Sequence, residues 1–197
     1  MQTWNNKQAF GWVSVALHWI AAIGVLAMIW TGLNGGWAED AGDKAQHRAY
    51  MALHVSIGGT LIVFALARVL AHYAQTRPDL PSGEARPLRA VARISHNVLL
   101  IAIIVQFVSG PLMIWTGGKP GAPASAIHIW NSIVLPSPFG SPNRSMHEFA
   151  EMLHMIGRWT LFIVIPIHVL AALKHEFFDR DGVLMQMLVP GRALRKP

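Results

Sequence analysis

Uncharged apolar runs dominate this chain. Between Lys7 and Glu39 no residue carries a formal charge, and residues 11–33 (GWVSVALHWIAAIGVLAMIWTGL) form one continuous apolar stretch. At ~1.5 Å per residue such a run crosses a bilayer core of about 30 Å as a helix. A second span is expected over 49–73, with an uncharged centre between Arg48 and Arg68, and a third over 94–116, uncharged from Arg93 to Lys119. The fourth has an uncharged part, Trp159 to Leu173, that is too short alone. It is expected to run over 146–175, with Glu148 and Glu151 in its first turns, where the helix dipole favours negative charge. Four such runs in one short chain are too many for buried core helices of a soluble fold. The pattern predicts an all-α membrane four-helix bundle, one integral-membrane domain over 1–197. The first run is too long for the apolar core of a signal peptide and is read as a retained span.

Composition agrees. Hydrophobic residues make up 53% and charged residues 13% of 197 residues, about half the usual charged share. The net charge of +6 lies beside the apolar spans, which argues for a membrane surface and against nucleic acid. Arg77, Arg86, Arg89 and Arg93 fill the second connection, after Arg68. Lys174, Arg180, Arg192, Arg195 and Lys196 mark the C-terminal tail. The first connection opposes Lys44 and Arg48 with three acidic residues, and the third holds only Lys119 and Arg144. Positive loops face inward, so both termini are expected in the cytoplasm. The third connection, residues 117–145, is rich in Gly, Pro and Ser. Its apolar piece AIHIWNSIVLP is expected on the outer membrane surface.

The chain has ten histidines and no cysteine. Lacking thiols, it has no disulfide, Cys-ligated zinc, iron–sulfur cluster or thioether-attached haem. Ionisable residues inside spans mark sites, because unpaired polar groups in apolar surroundings cost roughly 2–7 kcal/mol. Four histidines lie well inside: His18, His54, His154 and His168. His154 and His168 are fourteen positions apart. On a helix they differ by ~40° around the axis and ~21 Å along it. His18 matches His168 in depth from the inner end, and His54 matches His154 from the outer end. Two bis-histidine pairs are therefore expected, His18 with His168 and His54 with His154, a ligand set suited to two non-covalent b-type haems. A lone histidine in a membrane helix is more often an interhelical hydrogen-bonder or proton relay than a haem ligand, and it is the depth-matched pairing that favours ligation. A dinuclear zinc or iron site would want carboxylates, and the span interiors contain none.

His147 shares the face of His154, but a His147/His168 arrangement would separate two sites by ~31 Å, the whole hydrocarbon thickness. Small residues near the ligands (Gly24, Gly58, Gly59, Gly157, Ala21, Ala22, Ala171, Ala172) are expected to let a flat macrocycle approach the backbone. Arg158, one turn after His154, either neutralises a propionate or snorkels to lipid phosphate. His96 either contacts a propionate or quinone or is a plain interfacial histidine. His72 is expected at the interface, His47 and His128 in loops, and His175 solvated. Trp12, Trp37, Trp130 and Trp159 fit interfacial anchoring.

The stretches LHW at Leu17 to Trp19, HVSIG at His54 to Gly58, SHNVLL at Ser95 to Leu100 and HVLAALKHEFFDRDGVLMQML at His168 to Leu188 resemble the bacterial cytochrome b561 family in order and spacing. The resemblance implies a dihaem protein of the bacterial inner membrane with ligands on helices one, two and four, which fall on His18, His54, His154 and His168. It implies quinone, ubiquinone included, as a partner, and superoxide or another small periplasmic reductant as a donor. One departure is notable. Family members often show the outer fourth-helix ligand as a His-Glu pair, which here is His147-Glu148, whereas His154 precedes Met155. Spacing to the last ligand favours His154. The expected function is electron transfer between such a donor and the quinone pool, as a quinone-linked oxidoreductase or a non-catalytic carrier. The alternatives are a cytochrome b membrane-anchor subunit of a hydrogenase- or formate-dehydrogenase-like complex, with a redox protein partner, and a haem-free transporter or scaffold.

Overall fold

The computed structural model describes residues 2–76, 78 and 86–194. Arg77, Arg195 and Lys196 lie outside the described residues, as do the side chains of His72, Arg86 and Arg89. The chain is mostly helical. Its elements are α1 (Trp12–Asp40), α2 (Lys44–Ala74), α3 (Arg86–Thr116), the strands β1 (Ile127–Ile129) and β2 (Ile133–Leu135), α4 (Arg144–Lys174), a π-helical turn (His175–Asp179) and α5 (Val183–Leu188). The four long helices are each long and apolar enough to cross a membrane.

Each long helix continues beyond its apolar run. Hydropathy reports the lipid-matched length, whereas caps set the ends. α1 passes the expected stop at Leu33 and ends where Gly42 takes φ 75°, a left-handed conformation glycine adopts freely. The Gly42 N–H bonds the Glu39 carbonyl and the Asp43 N–H the Ala38 carbonyl, both at 2.9 Å, a Schellman closure. Asp43 then caps α2, its Oδ1 accepting from the N–H groups of Ala45 (3.1 Å) and Gln46 (3.0 Å). Asp43→Ala is expected to lower stability by about 1 kcal/mol and Asp43→Ser to restore most of it, read by unfolding in detergent. Asn143 caps α4 similarly, accepting from the Met146 N–H at 3.0 Å.

The interior is small and partly polar. Thr31, Ser56, Ala102, Ser109, Thr116 and Ala150 are buried, while Leu26, Val63, Leu66, Leu70, Ile101, Ile163 and Leu170 are exposed. That inverts a soluble core. It suits helices that gain nothing by hiding leucine from lipid but gain by close approach at small residues. The buried hydroxyls bond back to their own helices, as with Ser56 to Ala52 and Thr116 to Leu112.

The described chain divides into two compact units. One comprises Met1–Ile20, Ala65–Ile103 and Trp159–Pro197; the other comprises Ala21–Phe64 and Ile104–Arg158. In the first, the N-terminal segment is tied to the C-terminal one. The Gln186 amide donates to the Gln8 carbonyl (2.9 Å), the Gly191 N–H to Phe10 (2.8 Å) and the Trp19 indole to Met187 (2.6 Å). In the second, the stretch expected as a surface segment forms an antiparallel hairpin, Ile127 opposite Leu135 and Ile129 opposite Ile133. Trp130 and Asn131 take positive φ at its tip. The hairpin is seated on α2. The Trp130 N–H donates to Ser56 Oγ and its indole to Thr60 Oγ1, both at 2.9 Å, and Ile129 fills the space over Gly59.

Candidate functional site: two facing imidazole pairs

The structure brings the four expected histidines together as two pairs, one in each unit. The His54 and His154 ring centres are 6.4 Å apart, with planes at 66°. Those of His18 and His168 are 6.3 Å apart, at 62°. All four rings are half-buried.

His54 is held from α1. Its Nδ1 lies 3.0 Å from the Met28 carbonyl and 3.1 Å from Thr31 Oγ1. A carbonyl only accepts, so Nδ1 carries the proton and Nε2 keeps its lone pair. Gly32 lies against the same ring, where a Cβ would come 3.4 Å from Cε1. His154 is held from α3 in the same manner. Ser109 Oγ donates to the Val105 carbonyl at 2.7 Å and faces His154 Nδ1 at 3.0 Å. The Gln106 amide nitrogen lies 3.1 Å from the same Nδ1. A Cβ on Gly110 would stand 3.5 Å from His154 Cε1. Gln106, with its amide nitrogen toward α4, donates to the His154 carbonyl at 3.0 Å and accepts from the Arg158 N–H at 3.2 Å, bridging the rung beside Gly157.

The His18/His168 pair has different neighbours. His96, an exposed residue of α3, has its ring 5.2 Å from that of His168, edge-on. Arg68 is half-buried on α2. Its Nη1 donates to the Ser14 carbonyl at 3.5 Å.

The fit to a metal follows from the ring spacing. Two imidazoles on opposite sides of one ion, bonded at ~2.0–2.1 Å with ring centres ~1.2 Å further back, have centres about 6.4 Å apart. Directly hydrogen-bonded rings would be nearer, about 5 Å apart. Both pairs have the first separation, and at His54 the free Nε2 is the right tautomer for ligation. The residues therefore fit a metal such as haem iron, which the two imidazoles of a pair would hold.

The remaining candidates sort as follows. The His147 Nδ1 donates to the Met113 carbonyl at 2.9 Å, with its ring against Gly117. Arg158 is exposed, and its charge reaches His154. His47 is in the first turn of α2 rather than a loop, donating to the Gly35 carbonyl at 2.9 Å. His128 is exposed on β1. His175 is not solvated as expected. It is half-buried in the π-turn, its Nδ1 2.7 Å from Asp181 and 3.3 Å from Asp179. The glycines expected to admit a macrocycle face protein instead: Gly24 meets Leu61, Gly58 meets Met28, Gly59 meets Ile129 and Gly157 meets Gln106. Helix–helix contact uses the space at Gly24, Gly58 and Gly157, and the hairpin that at Gly59. Gly32 and Gly110, which lie against the His54 and His154 rings, were not singled out by the sequence, nor were Thr31, Ser109 or Gln106.

Four apolar helices carrying two facing imidazole pairs define a membrane cytochrome of the b type. The family model of prokaryotic cytochrome b561 matches residues 9–190, and the chain belongs to that family. It is 30% identical over 186 residues to cytochrome b561 homolog 2 of Escherichia coli (strain K12), covering 93% of both chains. It is also similar to the probable superoxide oxidase CybB of Yersinia pestis, 20% identical over 183 residues, covering 92% of this chain and 96% of that one. The chain is a multi-pass bacterial membrane protein of an electron-transfer family.

Proposed function

We propose that this chain, as a single domain with both termini cytoplasmic, binds two haems b and carries electrons between a small-molecule donor and the quinone pool of the inner membrane. The observation that carries the reading is the pair of ring separations, 6.4 Å for His54/His154 and 6.3 Å for His18/His168, each matching a bis-imidazole metal centre. The bound haem supplies a one-electron redox couple at each pair. The protein's own contribution would be two imidazoles to hold each iron, a ligand set suited to electron exchange rather than oxygen binding. Two such centres divide the crossing into shorter steps. Superoxide is the donor favoured by likeness to the relative whose printed name is a superoxide oxidase. His96 beside His168 is the residue proposed to meet a quinone or propionate, and Arg158 the one proposed to meet a propionate of the other haem.

The test is haem content per purified chain, followed by visible spectra during anaerobic addition of a short-chain ubiquinol and, separately, of superoxide. Two haems per chain, reduced by both reagents, are expected. Content of one or none sinks the two-haem reading. Two haems that neither reagent reduces sink the donor and acceptor assignment.

A further inference from the structure

The rings of the two pairs are steadied differently. His54 Nδ1 meets the Met28 carbonyl, and His154 Nδ1 meets Ser109 Oγ and the Gln106 amide. His18 makes no hydrogen bond among the described residues. Its ring meets those of His168 and Trp19, the latter edge-on at 5.5 Å and 77°. Trp19 follows His18 directly on α1, and side chains of consecutive helical residues point about 100° apart. Contact between them requires the two rings to be turned toward each other. The indole has a reason to turn, because its N–H donates to the Met187 carbonyl at 2.6 Å. That carbonyl lies in the last turn of α5, where helix carbonyls lack a partner of their own. A helix of six residues is too short to stand alone, so α5 is held by what surrounds it. At its start Asp181 Oδ1 accepts from the Val183 N–H at 3.0 Å, while Asp181 Oδ2 lies 2.7 Å from His175 Nδ1. Within it the buried Gln186 donates to the Gln8 carbonyl at 2.9 Å, and beyond it the Gly191 N–H donates to Phe10 at 2.8 Å. All of these residues belong to one compact unit. The C-terminal segment thus ties the residues before α1 to the indole beside His18.

We infer that Trp19 is a positioning residue for His18 and that α5 holds it in place, so that the C-terminal segment sets how one imidazole of the His18/His168 pair is turned. The inference rests on the two-haem reading above. A His18 ring freed from Trp19 changes its tilt toward His168, and the 62° between the two planes changes with it. His54 and His154 are steadied by their own hydrogen bonds and are expected to keep their geometry.

The experiment is electron paramagnetic resonance of the oxidised full-length protein, with haem content measured first. The low-field signal of a ferric haem held by two imidazoles reports the angle between their planes. His154→Ala, which leaves the His18/His168 centre, assigns the signals. Trp19→Phe keeps an aromatic ring beside His18 but loses the indole N–H, and Gln186→Ala releases α5 from Gln8. Each is expected to shift the His18/His168 signal and leave the other in place. Each is also expected to speed the loss of that haem to an apoglobin in excess by about tenfold at most, the fold-change of one net hydrogen bond. Both changes act through one contact, so the double variant is expected to shift the signal no further than Trp19→Phe does. Phenylalanine would satisfy a role of filling space alone. Complete loss of the His18/His168 haem in Trp19→Phe, with the other retained, is the same effect carried further and supports the inference. Two haems whose His18/His168 signal either change leaves in place, both signals moving together, or effects that add in the double variant overturn the inference alone. Fewer than two haems in the wild type overturns the two-haem reading and this inference with it.

Discussion

His154→Ala is expected to leave a folded four-helix protein with one haem in place of two, whereas His147→Ala keeps both. The two histidines lie on one face of α4, seven residues apart, and the sequence offers a reason for each. His147 is followed by Glu148, as a His-Glu pair; His154 has the better spacing to His168. Their surroundings differ. The His154 ring faces His54 at 6.4 Å and is tied to Ser109. His147 donates to the Met113 carbonyl, and its neighbour Glu148 pairs with Arg144 at 2.7 Å. Removing one of the two imidazoles that would hold a haem leaves that haem a single protein ligand and no covalent attachment, so its loss on purification is expected. The His18/His168 centre uses neither residue and should persist. Haem content and the amplitude of the reduced-minus-oxidised spectrum measure this. A His147→Ala protein with half the haem, beside a His154→Ala protein with all of it, reverses the assignment.

Span number, helical class and the pairing of four histidines were legible because each rests on a simple period. Lipid thickness sets a run length, and 3.6 residues per turn puts His154 and His168 on one face. What supports the ligands was not legible. Thr31, Ser56, Thr60, Ser109 and Thr116 all bond a carbonyl on their own helix, the ordinary fate of a hydroxyl in a membrane span. Nothing in the chain separates the two that also meet a ligand histidine. A usable signal does exist, a hydroxyl followed by glycine within a span: Thr31-Gly32, Ser109-Gly110 and Thr116-Gly117. The three glycines face His54, His154 and His147 respectively. The signal therefore finds histidine-facing positions, and those include both His154 and His147, so it does not choose between them. The Ile127–Leu135 hairpin was hidden because three-residue strands carry too little alternation to read, and its tip places Trp130 and Asn131 rather than glycine at positive φ.

Gly110→Leu is expected to cost the His54/His154 haem, while Gly110→Ala retains it. A Cβ at Gly110 would stand 3.5 Å from His154 Cε1 and 3.8 Å from Nδ1, ordinary contact that the ring can accept in place. The further carbons of leucine have no such room on the ring side. They must displace either the imidazole or the α3 backbone, and over-filling of this kind costs about 1–3 kcal/mol in a packed interior. The imidazole is the softer of the two. Its Nδ1 meets two side chains that can turn, Ser109 Oγ at 3.0 Å and the Gln106 amide nitrogen at 3.1 Å, whereas the α3 backbone is fixed by its own hydrogen-bond ladder. A displaced ring loses both its Ser109 contact and its spacing to His54, and a bis-imidazole centre tolerates little error, because a displacement on the order of 1 Å is half of a ~2.0–2.1 Å metal–nitrogen bond. Gly32→Leu on α1 is expected to have the same effect through His54, whose Cε1 is 3.4 Å from where that Cβ would stand. In both variants the helical content by circular dichroism should match the wild type and the haem content should fall to one per chain. A Gly110→Leu protein with two haems and an unshifted spectrum would show that His154 has freedom at this contact that its neighbours do not suggest.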